Sequence, residues 1–140
     1  MDRELAERLL RWLLRVSGAI LFTAIFAVPL SHQSMSQAKQ WLGMGPMPPD
    51  ALTSYLARSL SLLYAFHGVI ELGLSMNVAR YLPMIRLVGA STLLFGAALV
   101  PIDLAVGLPL WWTLIEGPSI MCSGAAMLVL AHLARPRAEG

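Results

Sequence analysis

The sequence predicts an all-α integral membrane protein, a single four-transmembrane-helix bundle over residues 1–140. Three observations carry this. The chain is 57% hydrophobic and only 13% charged, about half the charged share of a soluble domain, so it lacks the residues to cover a globule in water. Four apolar runs each approach or exceed the roughly 20 residues that a helix needs to cross the hydrocarbon core. The basic residues are sorted between the two sides of those runs, as membrane insertion sorts them.

Helix one is expected over about 5–30. Its start, Met1 to Arg15, alternates Arg3, Arg8, Arg11 and Arg15 with Asp2, Glu4 and Glu7, and puts leucines and Trp12 on another face. A basic start before an apolar run is also the pattern of a signal peptide, and Ala24–Ala27 loosely resembles a cleavage site. The long, helically patterned charged region favours a retained first helix. Residues 31–50 form the one long connection. Gly43, Gly45, Pro46, Pro48 and Pro49 mark irregular backbone, and Gln33 to Leu42 suits a short interfacial helix with Trp41 at headgroup level.

Helix two is expected over 51–76. Asn77 to Pro83 reads as a tight turn into helix three, over 84–104, where Gly89 and Gly96 lie seven apart and allow close helix approach. Gly107 and Pro109 mark a short turn. Helix four is expected over 110–133, with Trp111 and Trp112 as an aromatic belt and Pro118 freeing a carbonyl near Leu114. Arg3, Arg8, Arg11, Arg15, Arg80, Arg86, Arg135 and Arg137 fall on one side, and Lys39 and Arg58 on the other. That bias predicts both termini on the cytoplasmic side and residues 31–50 facing outward.

The stretch Tyr55 to Met76 is the most informative. It is apolar enough to span, yet carries Arg58, Tyr64, His67 and Glu71. Ionisable groups are costly in hydrocarbon and want partners, water or the interface. At 1.5 Å per residue Arg58 falls about 11 Å outward of the stretch's middle and Glu71 about 8 Å inward. Two polar levels follow. The outer one holds Arg58, Asp103 and Glu116 beneath Trp111 and Trp112. The inner one holds Glu71 and Arg86, with Arg15 and Arg80 nearby.

Each has a plainer reading. Arg58 either snorkels to headgroups or pairs with Glu116 or Asp103. Glu71 is expected in a structural ion pair with Arg86 or Arg15. His67, on one helix face with Tyr64 and Glu71, suits a hydrogen-bonded packing role, and Asp103 suits a loop carboxylate. Glu116 shares its face with Ser119, Ser123 and Met127, and no basic residue precedes it on its helix. The eight methionines are scattered and look like core filling. Cys122 is the one cysteine, and no glycine-rich phosphate loop, HExxH or CxxC is present. Neither a cofactor, a metal nor a nucleic-acid partner is expected.

The phrases WLGMGPMP (41–48), YLARSLSLLYAFHG (55–68), RYLPMIRLVG (80–89) and IDLAVGLPLWWTLIEGP (102–118) resemble a family of small four-helix bacterial membrane proteins of planctomycete type. The resemblance covers about two thirds of the chain and implies a fold and the bacterial inner membrane, with no activity attached. It also implies that Arg58, Ser59, Tyr64, Asp103 and Glu116 are the recurrent polar positions, and it leaves out His67 and Glu71. The layout is similar to that of DoxX-like four-helix proteins. A weaker resemblance is to EXPERA-type sterol isomerases, which would use His67, Glu71 and Glu116 catalytically, although aromatic residues for a sterol cavity are sparse.

The expectation is a non-enzymatic protein surrounded by membrane lipids. It acts as a partner subunit, in a homo-oligomer or larger membrane complex, or binds a lipid-like or quinone-like ligand in an outward-facing pocket lined by Arg58, Tyr64, Asp103, Trp112 and Glu116. No nucleophile–base pair accompanies these groups. The alternatives are the EXPERA-like isomerase and a small proton-coupled transporter. The second is disfavoured by the one-sided charge and by carboxylates on helices two and four.

Overall fold

A computed structural model describes residues 2–135, so Arg137, counted in the charge bias, lies outside the described residues. The described residues form helices joined by short irregular connections, with no strand. It comprises α1 (Arg3–Phe22), a 3₁₀ segment (Thr23–Ala27), α2 (His32–Trp41), α3 (Ala51–Met76), α4 (Val78–Val106) and α5 (Leu110–Leu133). Four stretches, Arg3–Ala27, Ala51–Met76, Val78–Val106 and Leu110–Leu133, are long and apolar enough to cross a membrane. The protein is thus an all-α chain of the multi-pass membrane type.

Two boundaries differ from expectation. α4 begins at Val78, so the expected turn 77–83 shrinks to one residue. Asn77 accepts the Arg80 N–H at 3.1 Å and caps the helix. Pro83 then stands inside the helix, near its start, where it removes one bond, to the Ala79 carbonyl. The first helix, expected to 30, is α-helical only to Phe22. The Thr23 hydroxyl bonds the Ile20 carbonyl at 2.6 Å, and the backbone tightens into the 3₁₀ form. Gly107, with φ 73°, ends α4, and its N–H returns to the Asp103 and Leu104 carbonyls.

The chain divides into two compact units, Met1–Ser17 with Glu71–Gly140, and Gly18–Ile70. In the first, α4 and α5 form an antiparallel hairpin. The buried residues of α4 are Val78, Leu82, Ile85, Gly89, Gly96 and Asp103, and those of α5 are Thr113, Gly117, Gly124, Met127 and Ala131. Both sets step by four, three or seven, the 3.5-residue repeat of a coiled-coil seam. Gly89 faces Gly124 and Gly96 faces Gly117. A Cβ on Gly124 would stand 2.5 Å from the Leu93 nitrogen, so the backbones touch directly. Between lipid-facing helices this close packing replaces the hydrophobic drive, because lipid tails are as apolar as leucine. At the other end of the hairpin, Ala6, Leu10 and Leu14 of α1 and Leu74 of α3 complete a core with Val78, Leu82, Ile85, Met127, Ala131 and Ala134.

In the second unit, α1 and α3 meet at Gly18 and Gly68, where a Cβ on Gly68 would lie 2.5 Å from the Gly18 oxygen. Ser31 caps α2 by accepting the Ser34 N–H at 3.1 Å. The connection folds back on α2, with Met47 N–H donating to the Ser36 hydroxyl (3.1 Å) and His32 Nδ1 paired with the Ser54 hydroxyl (3.1 Å). Asp50 accepts the Thr53 N–H at 2.7 Å and starts α3. Trp41, at the end of α2, is 94% exposed.

Candidate ligand-binding site

The α4–α5 hairpin carries its polar groups toward its turn. Asp103 continues the glycine seam, seven residues beyond Gly96. It is only 3% exposed, and its Oδ2 is buried with no hydrogen-bond partner. Thr113, four residues before Gly117, is also 3% exposed, and its Oγ1 is likewise buried and unpartnered. One turn of helix further, the Trp112 indole N–H donates to Glu116 Oε2. Asp103 lies within electrostatic range of Glu116. Trp111 meets Trp112 edge to face, with ring centroids 5.6 Å apart.

Two further acceptors follow from the prolines. Pro118 has no N–H for the Leu114 carbonyl, and Pro101 has none for the Ala97 carbonyl. In the hairpin register 97 and 114 stand at nearly the same level, beside Glu116. This end of the hairpin is therefore rich in acceptors. A buried polar atom without a partner costs stability, about 1–3 kcal/mol, and two of the four such atoms among the described residues stand here on facing helices, the others being Arg86 Nε and Thr92 Oγ1 further along α4. The complementary chemistry is a donor, a hydroxyl or an ammonium group. Three of the five expected pocket residues, Asp103, Trp112 and Glu116, come together here.

The other two belong to the second unit. Arg58 is exposed, and its Nη2 donates to the Leu30 carbonyl at 3.2 Å. Tyr64 is half-buried on α3.

At the inner level, Glu71 is 1% exposed and takes a hydrogen bond from Ser17, whose Oγ also lies 2.8 Å from the Leu13 carbonyl. Arg86, expected beside Glu71, donates Nη2 to the Ala131 carbonyl on α5 at 3.2 Å. Arg15 lies on the exposed face of α1, and His67 is half-buried on α3. Among the described residues no group of three His, Cys, Asp or Glu is placed to hold a metal.

Thr113 and Ser17 escaped the sequence reading. Thr113 had a signal, since Gly117 and Gly124 repeat the seven-residue interval of Gly89 and Gly96, and counting back four from Gly117 reaches it. Ser17 had none. Compared with family models, curated proteins and solved structures, the chain has no match.

Proposed function

We propose that this protein is a non-enzymatic multi-pass membrane protein. It binds a lipid-like or quinone-like ligand at the turn end of the α4–α5 hairpin, alone or as a subunit of a larger membrane assembly. The observation that supports this reading is the pair of buried, unpartnered atoms Asp103 Oδ2 and Thr113 Oγ1. A ligand hydroxyl, as in a quinol headgroup, donates to the carboxyl oxygen and accepts from the threonine. Trp112 holds Glu116 beside them, and the two tryptophans suit the membrane interface, where an apolar ring needs a polar edge. The eight-to-two basic bias makes this end the outward one, with both termini in the cytoplasm of a bacterial cell and the chain in its inner membrane.

The test uses the purified full chain in detergent with a short-chain ubiquinol analogue, its oxidised quinone and phosphatidylcholine as probes. The quinol is expected to raise the unfolding temperature more than the other two. Asp103→Val and Thr113→Val each remove that increment. Equal shifts from all three probes, or an increment unchanged in both variants, overturn the reading.

A further inference from the structure

The other end of the first unit carries a different surface. α1 presents three faces to Ser17. Ala6, Leu10 and Leu14 are fully buried. Leu5, Leu9, Trp12 and Val16 are exposed and share a second face. Arg8, Arg11 and Arg15 are exposed on a third, within about 60° of arc at 100° per residue. Among the described residues none of these three arginines has a carboxylate partner. Glu4 shares their face one turn before Arg8, and Glu7 is taken by Arg3 at 2.8 Å. The core that α1 makes with Val78, Leu82, Ala131 and Ala134 brings Arg80 and Arg135, both exposed, to the same end.

Length sets the depth of this stripe. From Val16 to Ala27 the first span has twelve residues without a charge, seven α-helical and five 3₁₀, which cover about 20 Å, against about 30 Å of hydrocarbon. The span therefore draws its arginine-bearing turns to headgroup level, with Leu5, Leu9, Trp12 and Val16 against acyl chains. An arginine held there needs an anion, and the guanidinium fork matches phosphate.

We propose that the Arg8–Arg11–Arg15 face of α1, with Arg80 and Arg135 at the same end of the unit, binds the phosphate headgroups of anionic phospholipid. The exposed apolar stripe next to it holds the acyl chains. This surface is independent of the ligand site at the opposite end of the hairpin.

The experiment is native mass spectrometry of the full chain released from detergent with phosphatidylglycerol, phosphatidylcholine or inorganic phosphate added. The wild type is expected to retain phosphatidylglycerol in preference to phosphatidylcholine, with a preference that weakens as salt rises. Each arginine near an anionic surface is worth a factor of about five, so Arg8→Gln, Arg11→Gln and Arg15→Gln combined should lower phosphatidylglycerol binding about a hundredfold. If the triple variant does not insert, the three single variants are read, each expected to lose about fivefold. Lys39→Gln, on α2, should leave binding unchanged. Equal retention of the two lipids, unchanged binding in the arginine variants, or retention of inorganic phosphate on the same residues without lipid preference each overturns the proposal.

Discussion

Gly96 and Gly117 touch backbone to backbone. A Cβ on Gly96 would stand 2.8 Å from the Gly117 carbonyl oxygen, and a Cβ on Gly117 would stand 2.6 Å from Val100 Cγ2. Gly89 and Gly124 repeat the relationship two turns along. The hairpin's interhelical distance is thus set by the absence of four side chains.

Gly96→Leu or Gly124→Leu should force α4 and α5 apart and cost at least about 1–3 kcal/mol, because the obstructing atoms are backbone and cannot turn aside. Gly73→Ala is the contrast. Nothing lies within 4 Å of its Cβ position, so that change should stabilise α3 by about 0.5–1 kcal/mol. Thermal unfolding in one detergent measures both signs. Equal effects at Gly73 and Gly96 would contradict the packing argument.

Asp103→Val should stabilise the protein without ligand. The change removes a buried carboxyl oxygen, Oδ2, that has no partner, which is worth about 1 kcal/mol or more, or about 2–4 °C in unfolding temperature for a chain of this size. A fall in unfolding temperature would mean that Asp103 is held by bonds that the variant breaks.

The start of α3 should respond to acid. Hydrogen bonds from the Thr53 hydroxyl and N–H hold the Asp50 carboxyl below its ordinary value of 3.8. A depressed folded value makes this a contribution that is complete above the unfolded value and lost as pH falls through the lower folded one. Circular dichroism should show α3 fraying below about pH 4 in the wild type. Asp50→Asn, which caps without titrating, should remove that component. An identical acid profile in both proteins would show that Asp50 contributes nothing to it.

Both termini should be cytoplasmic. A reporter that is active only in the cytoplasm, fused after Gly140, should be active, and one that is active only when exported should be silent. The reverse pattern would invert the assignment of the Asp103 end to the outer leaflet.

Much of the architecture was legible because membrane spans announce themselves by length and apolarity, and α3 and α5 begin and end where expected. Of the two misplaced boundaries, one came from proline and the other from the 3₁₀ turn at Thr23. Pro83 reads as a boundary in sequence, yet the Asn77 cap lets the helix start six residues before the expected 84 and absorb it. That Asp103 and Glu116 come near one another followed from position alone. That Asp103 lies on the seam required knowing that α5 carries a matching glycine pair, and the two intervals had to be read together. The partners of Arg58 and Arg86 were not legible, because both donate to main-chain carbonyls, of Leu30 and Ala131, and every residue has one. Ser17 beside Glu71 depends on which turns of α1 and α3 meet, a rotation that hydrophobicity does not encode.

The prolines at 101 and 118 have a mechanical consequence. Each deletes one rung of its helix's hydrogen-bond ladder, on the two helices of the same hairpin and at neighbouring levels, while the glycine contacts beneath them are close-packed. The hairpin is therefore stiff in its middle and compliant in its last two turns. Binding at the proposed site would draw on that compliance, parting Asp103 from Thr113 without parting Gly96 from Gly117. Amide hydrogen exchange should follow the same division, fast at residues 98–116 and slow from Gly89 to Gly96 and from Gly117 to Gly124.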